Sequence, residues 1–346
     1  MPRLKTGFSS SVRQHFCDRV GDYVTALTWS PDGKYLAVSA ASGEVVVWTY
    51  PDWTLYFRQQ LPVAVAALSF AASGDWLAIA GQAGFLRIMS MAKPELLISP
   101  NVPTVQTWID RMAWSPVQVQ LAFNVDRQVF IWSQSSQTVE RVLDFESSSV
   151  LGLAWHPKGD YLSIAGHTGS EVWQTTSWDK AYFLEVPGAS LCNAWSPDGQ
   201  YLAAGNFDHT LSVYEWETPP PWLMQGFPGK VREVVWSPIK SKAHGYLLAT
   251  ACLEGITVWW RKEDLWESRT LLQHQNYIRA ISFQPNSLVL ASAGDDGVVY
   301  LWEQAKKPWQ KLGGAPSGFT SLSWHPQGRY LAAGGNAGEV IAWSVN

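Results

Sequence analysis

Residues 274–302 read HQNYIRAISFQPNSLVLASAGDDGVVYLW, and the fold turns on this stretch. An apolar run (residues 278–283) ends in a proline turn (284–287), a second run (288–293) ends in an acidic turn (295–297), and a third ends at Trp302. Short apolar runs broken by turn residues at about ten-residue intervals predict antiparallel strands.

Working outward, the aromatic that closes the first run recurs at Trp29, Phe70, Trp114, Trp155, Trp195, Trp236, Phe283 and Trp324, in steps of 41, 44, 41, 40, 41, 47 and 41 residues. A period near forty, with three visible strands and a fourth in the spacer, predicts propeller blades. The turn after each anchor agrees. It is Ser30-Pro31-Asp32-Gly33 in repeat 1, Ser196-Pro197-Asp198-Gly199 in repeat 5, and His156-Pro157-Lys158-Gly159 and His325-Pro326-Gln327-Gly328 in repeats 4 and 8. Proline preset at the second position and glycine at the fourth suit a type I turn between strands. Repeats 3, 6 and 7 keep the proline (Pro116, Pro238, Pro285) without the glycine.

These residues resemble the WD40 repeat family, from about residue 10 to Asn346. The resemblance implies a structural tetrad of His274, Ser292, Asp296 and Trp302 that ties one strand to the next by hydrogen bonds. A catalytic pairing of His274 with Asp296 is the weaker reading. The chain departs from the family pattern in lacking Trp-Asp at the end of any third strand, and Met89 and Tyr214 stand in place of the tryptophan in repeats 2 and 5. Apolar packing, with 47% hydrophobic residues and 21 tryptophans, is expected to supply the missing stability.

The expected architecture is all-β: a single closed propeller of eight four-stranded blades, seven being the alternative, after an N-terminal tail (residues 1–9). Because the last repeat stops after its third strand, residues 12–17 are expected to pair with it and close the ring. The basic, serine-rich start also weakly resembles a transit peptide.

A net charge of −4 and a pI near 6.0 argue against general binding to nucleic acid or anionic membrane. No run approaches the length of a membrane span. Cys17, Cys192 and Cys252, sparse and odd in number, predict reduced thiols packed as small hydrophobes and a cytoplasmic location. His15-x-Cys17 is the only close pair with metal-ligating chemistry, and no second cluster supports it. Neither metal nor cofactor is expected, and no nucleophile elbow, phosphate loop or His-Glu-x-x-His motif points to an enzyme.

In the resembled family, partners bind the top face around the central channel. Residues reach it from six and four positions before the anchor and about twelve after it. Carried onto this chain, the candidates are Tyr23, Trp108, Asp110, Leu151, Phe207, Lys230, Arg232, Tyr277 and Arg279. Lys230, Arg232, Tyr277 and Arg279 of repeats 6 and 7 would form a basic sector, facing an apolar sector of Trp108, Leu151, Leu191 and Phe207 across the channel; the alternative is that the arginines pair with Asp110, Glu233 or Asp295 and the apolar residues are half-buried in loops. That surface suits a protein or peptide with acidic and apolar anchors, held by a monomeric ring within a larger complex. The alternative is an enzyme or small-ligand binder using the central channel. The inserted turn of repeat 6 (residues 239–245) reads as a solvated insertion, with a docking loop as the sharper alternative.

Overall fold

The computed structural model describes residues 12–100, 107–145 and 149–345. The expected tail (residues 1–9) and the first two residues of the expected propeller lie outside them. Every strand inside the expected repeats is antiparallel to its neighbour, and the chain forms a β-propeller.

The local pattern explains the layering. Second and third strands such as Tyr35–Ala40 and Glu44–Thr49 are buried along almost their whole length. Strands covered on both faces need near-continuous apolar sequence, and YLAVSA and EVVVW provide it. Outer strands such as Leu55–Gln60 alternate exposed and half-buried residues and present one face to solvent.

The sheet count corrects the sequence reading. Hydrogen bonding divides the described chain into seven sheets, six of four strands and one of six. The six-stranded sheet carries both the Trp155 and the Trp195 repeats. Tyr161–Gln174 pairs with Gly152–Trp155 through its first half and with Asp179–Trp195 through its second. Asp179–Trp195 then continues into pairing with Tyr201–Asn206. Residues 186–188 are skipped by the ladder, so repeats 4 and 5 share one sheet through the continuous strand Asp179–Trp195, whose first half pairs within repeat 4 and whose second half pairs within repeat 5.

The innermost strands contact one another in sequence order: Val24–Trp29, Val65–Phe70, Met112–Trp114, Gly152–Trp155, Asp179–Trp195, Glu233–Trp236, Ile278–Phe283 and Phe319–Trp324, the last touching the first. They surround the central channel. Val12–Arg19 is hydrogen-bonded to Glu339–Val345, with Val12 opposite Val345 and Arg19 opposite Glu339. Cys17 on this strand is exposed, whereas Cys252 is buried and Cys192 half-buried. The expectation that all three thiols are packed away therefore fails for Cys17, which sits on the solvent side of an outer strand.

Neighbouring repeats are joined through the anchor aromatics. The indole N–H of Trp114 donates to Ser69 O (2.9 Å), that of Trp155 to Ala113 O (2.9 Å), that of Trp236 to Ala194 O (3.0 Å) and that of Trp324 to Ser282 O (3.2 Å). Each acceptor immediately precedes the anchor of the preceding repeat. Trp29 and Trp195 break the rule, since their buried indole N–H groups have no acceptor. Both follow a His-Pro turn. His325 meets Trp29 edge-on at 4.8 Å between ring centroids, and His156 meets Trp195 at 4.9 Å. His325 Nε2 lies 3.2 Å from Gly33 O, and His156 makes the equivalent bond to Gly199. The sequence reading left both histidines as turn residues. They are buried connectors to the next repeat.

Candidate partner-binding face

Two backbone devices bring the top-face positions together. In five repeats the residue twelve after the anchor donates its N–H to the carbonyl of the residue six before it: Ala41 to Tyr23 (3.1 Å), Gln82 to Ala64 (3.0 Å), Phe207 to Ala189 (2.8 Å), Asp295 to Tyr277 (2.9 Å) and Asn336 to Gly318 (2.9 Å). The residue four before the anchor is skipped by the ladder in five repeats. Register shifts fall between Val24 and Ala26, Val65 and Ala67, Ser190 and Cys192, Ile278 and Ala280, and Phe319 and Ser321. A bulge frees one residue from pairing and re-aims its side chain. Thr25, Ala66, Leu191, Arg279 and Thr320 are the residues so freed.

These devices build two adjoining concavities that share Arg279. The larger, about 750 Å³, is lined by Tyr23, Trp108, Asp110, Arg111, Arg279 and Asp295 among others. The smaller, about 560 Å³, gathers Lys230, Arg232 and Tyr277 around Gly229 and Leu253. Tyr23 (46%), Trp108 (46%), Phe207 (49%) and Tyr277 (52%) are all well exposed for aromatic residues.

The arrangement corrects two expectations. First, the basic and apolar sectors are not opposed as drawn. The Lys230 ammonium lies 3.6 Å from the centre of the Phe207 ring, a cation–π contact that makes Phe207 part of the basic sector. Leu151 is half-buried, its carbonyl accepting from Arg111 Nε at 2.6 Å. Second, Arg279 is not a free cation. Its guanidinium grips Asp295 through Nε (2.9 Å to both oxygens) and Nη2 (2.5 Å), and this pairing raises its pKa further. Asp110 is also engaged, by Arg111 (3.3 Å) and by Asn124 Nδ2 (3.1 Å). Among the described residues, no carboxylate pairs with Lys230 or Arg232.

His274, Ser292, Asp296 and Trp302 form one hydrogen-bonded chain away from these concavities. His274 Nδ1 lies 2.9 Å from Asp296 Oδ2, His274 Nε2 lies 2.8 Å from Ser292 Oγ, and Trp302 Nε1 donates to Ser292 Oγ at 2.9 Å. The carboxylate only accepts, so Nδ1 carries the proton. Ser292 accepts from the indole and donates its own proton to Nε2. Burial lowers the His274 pKa, with Asp296 opposing. His274 and Ser292 are buried, and the four side chains tie the segment before Ile278–Phe283 to the strands Leu290–Gly294 and Val299–Glu303.

Arg111 and Glu233 were missed as candidates. Both lie three positions before an anchor, where the other repeats have Ala26, Ala67, Gly152, Cys192, Ala280 and Ser321. Large charged residues amid small ones at one register position were the available signal. Asn206 was also missed. It is fully buried and ties Ser190 (3.0 Å), Thr210 (2.9 Å) and Ser212 (2.9 Å) together in repeat 5, where no tryptophan completes a tetrad.

The sequence model of the WD40 family, described as WD domain, G-beta repeat, matches residues 10–49, 187–215, 266–303 and 306–344. The chain is similar to WD repeat-containing protein VIP3 of Arabidopsis thaliana, 29% identical over 133 residues, which are 34% of this chain and 41% of the relative. It is similar to THO complex subunit 3 of the same plant, 24% identical over 223 residues, covering 62% of this chain and 67% of the relative. The serine-threonine kinase receptor-associated protein of Gallus gallus is 26% identical over 202 residues, 56% of this chain and 55% of that protein. The chain thus spans about two fifths of the first relative and just over half of the third. With the repeat period, the turn chemistry and the propeller, these matches make the chain a member of the WD40 repeat family.

Proposed function

We propose that the protein is a non-catalytic scaffold that binds a partner protein or peptide on its top face, as a single ring within a larger complex. The observation that carries this reading is the pair of uncompensated cations, Lys230 and Arg232, beside exposed Phe207 and Tyr277 in one concavity. Arginine and aromatic residues dominate interface hot spots. An acidic side chain of the partner meets Lys230 and Arg232. Its apolar neighbours lie over Phe207 and Tyr277 and continue toward Tyr23, Trp108 and Leu151. Asp110 and Arg279, each already paired, orient the rim and contribute less. Membership of a complex accords with the printed name of one relative, a THO complex subunit. Neither nucleic acid nor membrane is part of the reading, and no helix among the described residues is long and apolar enough to cross a bilayer. Three free thiols favour a reducing compartment, the cytoplasm in the first instance.

Affinity capture from native extract, followed by titration of the captured partner, tests the proposal. Lys230→Ala with Arg232→Ala is expected to weaken binding by about 2 kcal/mol, roughly thirtyfold, with unchanged melting. Arg279→Ala alone is expected to do less than half of that. Equal affinity in wild type and the Lys230/Arg232 double variant overturns the assignment.

A further inference from the structure

On the basis of that reading of the top face, we propose that the acidic anchor taken by the smaller concavity is a phosphorylated side chain of the partner, so that phosphorylation switches docking on. The concavity, about 560 Å³, draws polar side chains from three successive repeats: His209 from repeat 5, Lys230 and Arg232 from repeat 6, and Tyr277 and Arg279 from repeat 7. All five can donate hydrogen bonds, and no carboxylate is among the described residues that line it.

The neighbouring acids are already engaged. Asp295 holds Arg279 through Nε and Nη2, and Asp208 accepts from Thr210 Oγ1 at 2.7 Å. Among the described residues, no acceptor holds Arg279 Nη1, and no carboxylate pairs with Arg232 or with Lys230, whose ammonium faces the Phe207 ring. The larger concavity differs, since its cations Arg111 and Arg279 meet Asp110 and Asp295 there. Unspent positive charge is therefore concentrated in the smaller one.

The number of donors selects the anion. A carboxylate brings a single charge and a pair of oxygens, which one guanidinium fork can satisfy. A phosphate monoester brings about two charges near neutral pH and a third acceptor oxygen. Lys230 and Arg232 match its charge, one as a compact ammonium and the other as a planar fork, and both chemistries bind phosphate. Arg279 Nη1 and the ring of His209, an exposed residue held in a turn at φ +66°, are left as donors for the third oxygen. Half-buried Leu253 and Ile278 thin the water in the same lining, which strengthens each charged contact. An unmodified serine or threonine in that place would leave both cations unpaired.

Calorimetric titration of the full chain with acetyl-Leu-Phe-phosphoserine-Phe-Leu amide, and with its glutamate and serine counterparts, tests the assignment. The phosphopeptide is expected to bind at one per chain and at least about tenfold more tightly than the glutamate peptide, in keeping with further charge-assisted hydrogen bonds. Lys230→Ala with Arg232→Ala is expected to abolish that preference. A phosphopeptide that does not bind, or binds no more tightly than the glutamate peptide, overturns the proposal, as does a preference that survives in the double variant. Inorganic phosphate binding as tightly as the phosphopeptide assigns the site to a free anion and overturns the partner's side chain as its source. Phosphatase treatment of native extract before capture separates phosphate recognition from docking as such. Treated extract is expected to lose the partner that wild type captures and the double variant does not. A partner that still needs Lys230 and Arg232 after dephosphorylation overturns the phosphate and keeps the docking face, whereas capture indifferent to both residues overturns both.

Discussion

Four junctions between repeats are fastened by an indole N–H on a carbonyl, while the junctions from repeat 4 to 5 and from repeat 8 to 1 use a histidine. The difference is chemical as well as geometric. An indole donates at any pH, whereas a histidine serves only while neutral. His325 Nδ1 accepts from Gln327 N–H (3.2 Å) while Nε2–H donates to Gly33 O, and His156 Nδ1 accepts from Lys158 N–H (3.4 Å). A second proton puts N–H against N–H. Burial lowers both pKa values. For His156, Asp160 and the Gly199 carbonyl oppose the shift and Lys158 reinforces it. For His325, the Gly33 carbonyl and Asp32 oppose it and Arg329 reinforces it. Identical packing tasks have been given to one fastener indifferent to pH and to another that acid loosens.

The largest effect expected at these junctions comes from removing the strand that flanks the histidine junction of repeats 8 and 1. Deleting residues 12–19 bares the edge of Glu339–Val345 and uncovers the Trp48 and Trp53 faces that Phe16 touches at 5.3 and 4.4 Å. Loss of cooperative unfolding or aggregation is expected, read by calorimetry and light scattering. An unchanged monomeric melting transition would remove this strand from the account.

Next in size is Gly33→Ala. Gly33 has φ +76°, and an added Cβ would lie 2.5 Å from His325 Nε2. Strain and clash together predict a loss of about 2–4 kcal/mol in denaturant unfolding. Gly245→Ala is the control, since its φ is +68° with nothing within 4 Å, and only about 1 kcal/mol is expected. Equal losses would mean that the histidine contact is unimportant.

The pH dependence is intermediate in size. The ordinary histidine value is 6.5, and the folded values of His156, His274 and His325 lie below it. The unfolded chain therefore binds more protons as pH falls through 6.5, and stability is lost from there down to the folded values. Glu233 acts in the opposite sense. Its carboxyl, raised from 4.5 to about 7, favours the folded state in acid and loses that contribution as pH rises through this window. His156→Gln with His325→Gln should flatten the acid limb of a melting-temperature profile, and Glu233→Gln should steepen it. A profile insensitive to all three substitutions would refute the contrast between junctions.

The smallest effect is also the sharpest comparison. Trp155→Phe strands the Ala113 carbonyl and should cost about 1 kcal/mol more than Trp195→Phe, whose indole N–H has no acceptor. Both substitutions remove similar ring area, so equal costs would show that packing alone joins the repeats.

The propeller was legible because its signals repeat. A single Ser-Pro-Asp-Gly turn says little, but the register of Trp29, Trp155, Trp195 and Trp324 with their turns admits few alternatives. The sheet count was not legible, since it depends on whether the chain breaks between the outer strand of repeat 4 and the inner strand of repeat 5; Asp179–Trp195 runs through, where Leu55–Gln60 and Val65–Phe70 are separate strands. On the top face, sequence offsets located Tyr23, Trp108, Lys230 and Arg279 around adjoining concavities. They could not say which cations are already paired. Arg279 and Arg232 look alike in sequence, yet only Arg279 has an acid, Asp295, sixteen residues on and tied to the same repeat. Long-range partners such as His325 and Gly33 depend on which repeats adjoin, and no local pattern carries that.

The bulge four residues before the anchor opens the rim to engineering. A residue outside the ladder owes nothing to strand pairing, so exchanging Ala66, Leu191 or Arg279 changes what the mouth of the channel presents at little cost to the scaffold, whereas Thr25, bonded to Ser39 Oγ (2.8 Å), and Thr320, which donates to Val24 O (2.7 Å), also hold neighbouring strands. The other three work as interchangeable sockets around one rim. Randomising those three together amounts to building a binding library on a fixed frame.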